Sequence, residues 1–163
     1  MNTLRPAPLT AEAFAPFGDV LEVADNPLKI NAGMCDRHHD LADIDILDGR
    51  AGISFFKAQP RALPYQFDLV ERHPKGSQAF IPMSMTSFLV IVAPDEDGKP
   101  GTPLAFLTRP GQGINLHRNT WHGVLTPLAA PGLFAVVDRI GDATNLQEYT
   151  YTTPFTVEDP NQD

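Results

Sequence analysis

Proline and glycine constrain this chain more than any other feature: together they supply 28 of 163 residues (16 Pro and 12 Gly), and they bracket short runs rich in Phe, Val, Ile and Leu. Such runs, bounded by turn formers, read as strands, because proline ends helices and both residues seat tight turns. Candidate strands fall at Asp19–Val23, Ile44–Ile46, Ile53–Ala58, Tyr65–His73, Gln78–Met83, Phe88–Ala93, Leu104–Thr108, Val124–Thr126 and Leu133–Arg139. The one helical signal is L-T-A-E-A-F-A-P-F-G, where Thr10 can cap, Glu12 suits the first turn, and Pro16 and Gly18 stop the helix. Serial short strands separated by turns predict an all-β sandwich or barrel with one enclosed interior and one short N-terminal helix.

The chain length, with 42% hydrophobic and 20% charged residues, suits one domain spanning residues 1–155, with 156–163 expected as a flexible tail. The longest apolar stretch, Phe88–Ala93, is far short of the ~20 residues that cross a membrane. The N-terminus lacks a basic segment followed by an apolar run, so the expected setting is the cytoplasm, with no membrane partner. A single cysteine, Cys35, leaves no intramolecular disulfide to form and reads as a small, partly buried side chain. A net charge of -8 without clustered Lys and Arg argues against nucleic acid as a partner. Any bound anion must therefore be held by local groups.

The stretch E-R-H-P-K-G-S-Q-A-F, Glu71 to Phe80, carries the first chemical signal. If Tyr65–His73 is a regular strand, Phe67, Leu69, Glu71 and His73 share one face, and Gln66, Asp68, Val70 and Arg72 the other. The first face is apolar and then turns chemical, as in a strand that enters a barrel interior and reaches a polar pocket near its end. The E-x-H spacing alone does not separate this from a strand that ends in solvent. After a Pro-Lys-Gly turn, Gln78, Phe80 and Pro82 share a face of the next strand. Farther on, P-G-Q-G-I-N-L-H-R-N-T-W-H-G, Pro110 to Gly123, offers a turn, a short strand and a second turn around Asn119 that would return His122 to the same pocket. Glu71, His73, Gln78 and His122 would then converge. Imidazole nitrogens with carboxylate and amide oxygens suit a divalent transition metal that keeps positions open for substrate. His117 and His122 stand five apart, a spacing that scatters them on a regular strand.

These two segments resemble the paired motifs of the cupin superfamily, in which the first carries H-x-H, a gap and E, and the second a Gly-Asp turn, an Ile-Pro turn and a His. Glu71 stands where the first His would be and Gln78 where the Glu would be. Within that superfamily the chain resembles the ureidoglycolate lyase family. The likeness is carried by Pro8–Val20, Ile30–Gly33, R-H-H-D-L-A (Arg37 to Ala42), E-R-H-P-K-G-S-Q-A-F-I-P-M (Glu71 to Met83), G-I-N-L-H-R-N-T-W-H (Gly113 to His122) and Val137–Arg139. It implies a cupin-like antiparallel β-barrel of jelly-roll type, a homodimer, and release of urea and glyoxylate from the small molecule ureidoglycolate in allantoin degradation. It also implies a divalent metal, nickel first, although the site can be read as working through hydrogen bonds alone.

Under that resemblance His73 and His122 are expected as metal or substrate ligands, Glu71 as ligand or base, and Gln78 as an amide that orients metal or substrate. His117 and Arg118 are further substrate-binding candidates, since a guanidinium can grip a carboxylate with two parallel hydrogen bonds. A turn arginine facing water is the alternative for Arg118. Arg37 and His39, with Asp40, are candidates to cover the pocket mouth and hold the substrate's carboxylate or the departing urea; a salt-bridged loop or subunit contact is the competing role, and His38 should point away. Trp121 reads as a wall residue, and Phe80, Met83 and Phe88 as core.

Two other classes fit the same residues. One is a metal-dependent oxygenase or isomerase of the cupin type, against which Glu71 and Gln78 count, because an oxygen-activating iron usually takes more imidazole. The other is a non-catalytic ligand-binding cupin or sensory module, for which no DNA-binding motif is present in the sequence.

Overall fold

The computed structural model describes residues 2–162. Its first elements are β1 (Asn2–Leu4), β2 (Ala7–Pro8), α1 (Ala11–Phe14), β3 (Gly18–Leu21), β4 (Leu28–Ile30) and β5 (Cys35–Arg37). Then come β6 (Arg50–Lys57), β7 (Tyr65–Arg72), β8 (Gln78–Pro82), β9 (Phe88–Ala93), β10 (Asp95–Glu96), β11 (Lys99–Pro100) and β12 (Leu104–Leu107). The last are β13 (Gly113–Leu116), β14 (Trp121–His122), β15 (Thr126–Pro127), β16 (Leu133–Ile140) and β17 (Gln147–Val157). The expected all-β, cupin-like class is what forms.

Two curved sheets face each other. The larger runs β1-β17-β7-β14-β9-β12-β2, with β15 also on β9, and the smaller β3-β13-β8-β16-β6. Pairing is antiparallel except where β1 lies beside β17 and β2 beside β12. Phe88, Val90 and Val92 from one sheet meet Phe80, Ile114, Leu116, Phe134 and Val136 from the other to form the inner core. The alternate residues Leu89, Ile91 and Ala93 face outward, into a second cluster with Val70, Trp121, Phe155 and Val157. The unbroken apolar run of β9 is thus a strand buried on both faces. Thr10 caps α1 by accepting from the Ala13 amide at 3.2 Å, and Leu9, Phe14 and Phe17 beside it join the inner core.

Several boundaries differ from expectation. Of the Ile44–Ile46 candidate only Ile46 pairs, as a single bridge to Gly76, and the Val124–Thr126 candidate pairs as Thr126–Pro127. Met83 lies past the end of β8 and is exposed. The expected tail at 156–163 begins too early, because β17 continues through Thr156 and Val157, and Val157 is fully buried. The alternation expected along β7 also breaks. Phe67 and Val70 both face the outer cluster, because the β7/β17 register shifts between Thr150 and Phe155. Such an irregularity swaps the faces of all residues beyond it. Phe67 is therefore not on the face of Glu71.

Candidate active site

Glu71 lies opposite His122 in the β7/β14 pairing, and His122 lies opposite the core residue Val92 in the β14/β9 pairing. Directly opposed residues leave a sheet on the same side, so both side chains enter the interior. His73 follows the end of β7, its ring centroid 5.2 Å from that of His122 and its Nε2 3.9 Å from Glu71 Oε1. One donor atom from each of Glu71, His73 and His122 falls within 4.8 Å of the others. From the facing sheet Gln78, buried at the start of β8, donates its Nε2 to Asp138 Oδ2 of β16 at 3.1 Å.

Backbone carbonyls fix both imidazoles. His73 Nδ1 is 2.7 Å from Asn145 O and His122 Nδ1 2.9 Å from Gly123 O. A carbonyl can only accept, so in each ring Nδ1 carries a proton and Nε2 is the nitrogen turned toward the cluster. Both Nε2 atoms are buried without a hydrogen-bond partner, and so is Gln78 Oε1. Buried polar atoms without partners are rare, and a shared group of them marks a ligand position. Two imidazole nitrogens, a carboxylate and an amide oxygen suit a divalent ion with carbonyls bracing the rings from behind.

The electrostatics fit that arrangement. Burial pushes the His122 pKa down to about 4, helped by His73 and partly offset by the carbonyl of Gly123. His122 is therefore a neutral imidazole at ordinary pH. Burial raises the pKa of Glu71, His73 pulls it back in part, and Glu148, directly opposite on β17, adds to the rise.

The cluster opens on a cleft of about 460 Å³ that Glu71, Gln78 and His122 line together with Phe56, Phe80, Leu125, Gln59 and Arg61. The other expected site residues lie elsewhere. His117 and Arg118 border a separate depression with Asp19, Asp43, Asp45 and Ser77, where His117 Nε2 is 3.3 Å from Asp19 and Arg118 Nε 2.9 Å from Asp45. Arg118 touches the site only indirectly, through the carbonyl of Pro74 at 3.4 Å. Arg37 is an exposed residue of β5, His39 is exposed just beyond it, and neither lines the cleft. His38 turns away, accepting from the Ala24 amide, and Trp121 packs on the outer face beneath Arg72.

Sequence reasoning missed three contributors. Asn145 braces the His73 turn twice, since its side chain also accepts from the Lys75 amide at 2.6 Å. Asp138 orients Gln78, and its only sequence signal is its place in the Val137–Arg139 block. Arg61 lies in a Pro-rich connection that carries no motif.

The family model for ureidoglycolate lyase matches residues 1–158. The chain belongs to the ureidoglycolate lyase family. Among curated relatives, a protein of Rhodobacter capsulatus named ureidoglycolate lyase is 61% identical over 160 residues, covering 97% of this chain and 99% of the relative. One from Chelativorans sp. with the same name is 47% identical over 165 residues, 99% and 100% of the two chains. A third, ureidoglycolate lyase 2 of Rhizobium meliloti, is 50% identical over 161 residues, 97% and 99%. The family match spans every residue of the cluster.

Proposed function

We propose that this protein is a carbon–nitrogen lyase that splits ureidoglycolate into glyoxylate and urea in allantoin degradation, at the Glu71–His73–Gln78–His122 cluster. The observation that carries the reading is the meeting of a half-buried carboxylate with two imidazoles whose Nε2 atoms are buried and unpartnered, beside an amide oxygen, at the wall of a cleft. The relatives' shared name supplies the substrate.

The reaction needs little machinery. One carbon of ureidoglycolate bears the hydroxyl, the carboxylate and the urea nitrogen. The hydroxyl proton leaves, its O–H electrons form the aldehyde C=O, the C–N pair departs with nitrogen, and nitrogen takes up a proton. Neither redox chemistry nor added water enters. Glu71 is the group in the cluster suited to take the hydroxyl proton, and the same carboxyl can hand it to departing urea. A pKa raised by burial brings the two halves of that exchange closer in energy, and general acid–base catalysis is typically worth about 10²- to 10⁴-fold. His73 and His122, with Gln78 Oε1, would hold a divalent ion, nickel being the choice suggested by the family resemblance, and leave the Glu71 carboxylate beside them to move the proton. Such an ion supplies Lewis acidity and fixed positive charge toward a hydroxy acid. The chain's own task is to orient: Asn145 and Gly123 set the ring tautomers, and Asp138 turns the amide of Gln78 so that its oxygen faces inward.

The same reading takes the protein as a cytoplasmic homodimer. The test is release of glyoxylate and urea from ureidoglycolate above its spontaneous decay, with and without chelator, alongside metal analysis of His73→Ala and His122→Ala. Metal content and activity should fall together in both variants. Full metal occupancy in both would place the ion elsewhere, and no release by the wild type would sink the lyase reading.

A further inference from the structure

We infer that Arg61 is the anchor for the substrate's carboxylate, an assignment that rests on the lyase reading above. An anionic substrate must enter a protein of net charge -8, and the cleft presents Glu71, which repels it. Of the described residues lining that cleft, Arg61 is the one arginine or lysine. The sequence offered Arg37 and Arg118 for this task. Arg118 is engaged by Asp45 and the carbonyl of Pro74, and Arg37 does not line the cleft.

Arg61 is free to act yet well placed. Among the described residues it forms no ion pair. Its guanidinium carbon sits 5.8 Å from the centre of the Tyr65 ring, a cation–π contact that steers the side chain without using its hydrogen-bond donors. The backbone beneath is pinned: the Arg61 amide donates to Pro127 O at 2.8 Å, and the Ala58 amide to Gly132 O at 2.8 Å. The connection from β6 to β7 is therefore stapled to β15 and to the turn that follows it, with a charged fork at its rim. A planar guanidinium grips a carboxylate with two parallel hydrogen bonds. Set in the wall that also carries Glu71, it would fix the end of the substrate that does not react and leave the hydroxyl-bearing carbon toward the cluster.

The experiment compares wild type with Arg61→Gln and Arg61→Lys. In Arg61→Gln the KM for ureidoglycolate should rise about 10- to 100-fold, the range expected for losing a hydrogen-bonded charge partner, with the smaller effect on kcat. Inhibition by glyoxylate should weaken by the same factor while inhibition by urea, which lacks a carboxylate, stays put. Arg61→Lys should fall between, keeping charge but losing the fork. As a control, Lys57→Gln removes one positive charge from the exposed end of the adjoining strand and should leave KM unchanged; an equal rise there would mean general attraction and overturn the anchor. Unaltered KM and glyoxylate inhibition in Arg61→Gln would overturn it too. Should the wild type prove inactive on ureidoglycolate, the lyase reading fails, and calorimetric titration with glyoxylate still decides Arg61. Weaker binding by the Gln variant upholds the anchor, whereas equal binding, or none by either protein, refutes it.

Discussion

Glu71 is the residue at which folding and chemistry pull apart, because an inward position on β7 would favour an apolar side chain and instead holds a carboxylate whose charged form burial penalises. Glu71→Gln keeps the shape and removes the base, so turnover should fall on the order of 10²-fold or more while the melting temperature stays near that of wild type. Near-normal turnover would remove Glu71 from the chemistry. His122 makes a separate prediction for chelator-treated protein. An unfolded histidine protonates near 6.5, whereas the folded His122 resists until about 4, so below 6.5 the unfolded chain gains a proton that the folded one lacks. His122 thus contributes stability that is present above 6.5 and lost as pH falls toward 4, on the order of 3 kcal/mol. The smaller rise at Glu71 runs the other way above 4.5 and softens that slope. Urea midpoints taken between pH 7 and 4.5 should therefore fall more steeply for wild type than for His122→Gln; parallel curves would show that His122 titrates normally. The cluster itself was legible in the sequence because Glu71, His73 and Gln78 flank one turn and His122 closes the second segment. Asp138, Asn145 and Arg61 were not, because each acts through a tertiary contact that no local spacing encodes.

At the scale of elements, β9 was read with its correct bounds because an unbroken run such as F-L-V-I-V-A can be buried on both faces, and few other structures accommodate it. The opposite case is β17. Its Q-E-Y-T-Y-T-T-P-F-T-V is polar and contains Pro154, which argues against a central strand, yet it pairs with β7 over most of its length and takes β1 on its other side. The register shift beside Asp68 places Phe155 and Val157 against the outer cluster. The same shift sets the phase that turns Glu71 inward, so the C-terminal strand supports the site through its partner. Phe155→Ala should cost roughly 3 kcal/mol by the usual toll for a buried aromatic, read from denaturant midpoints. Truncation after Thr153 should be far more damaging than truncation after Asp159, which keeps both buried residues and the 2.9 Å bond from the Glu158 amide to Leu4 O. Equal stability of the two truncated chains would show that β17 is dispensable.

The whole molecule presents one surface that a solitary chain explains poorly. Among the described residues β6 pairs only with β16 and leaves its other edge open, and on the outward face Ile53 and Phe55 are 76% and 68% exposed. In the ladder across that face Phe55 stands opposite Ala135, and Ala135 opposite the exposed Ile81, so the apolar positions are contiguous across three strands. A long apolar edge strand invites pairing with another chain, and contiguous apolar surface of this kind marks an interface. A second copy is the partner the homodimer reading supplies. Sedimentation at micromolar concentration should give a dimer, and Phe55→Glu should shift it toward monomer, because a buried pair of carboxylates near a two-fold axis is penalised by both desolvation and repulsion. The substitution lies on the solvent face, so the β-rich circular dichroism spectrum should not change. The inner face of the same strand carries Phe56 into the cleft, and the strand leads directly into the Arg61 connection. Pairing β6 across a dimer would stiffen that wall, so the monomeric variant should lose affinity for ureidoglycolate more than turnover. A wild-type monomer at that concentration, or a Phe55→Glu protein that remains dimeric, would move the interface away from β6.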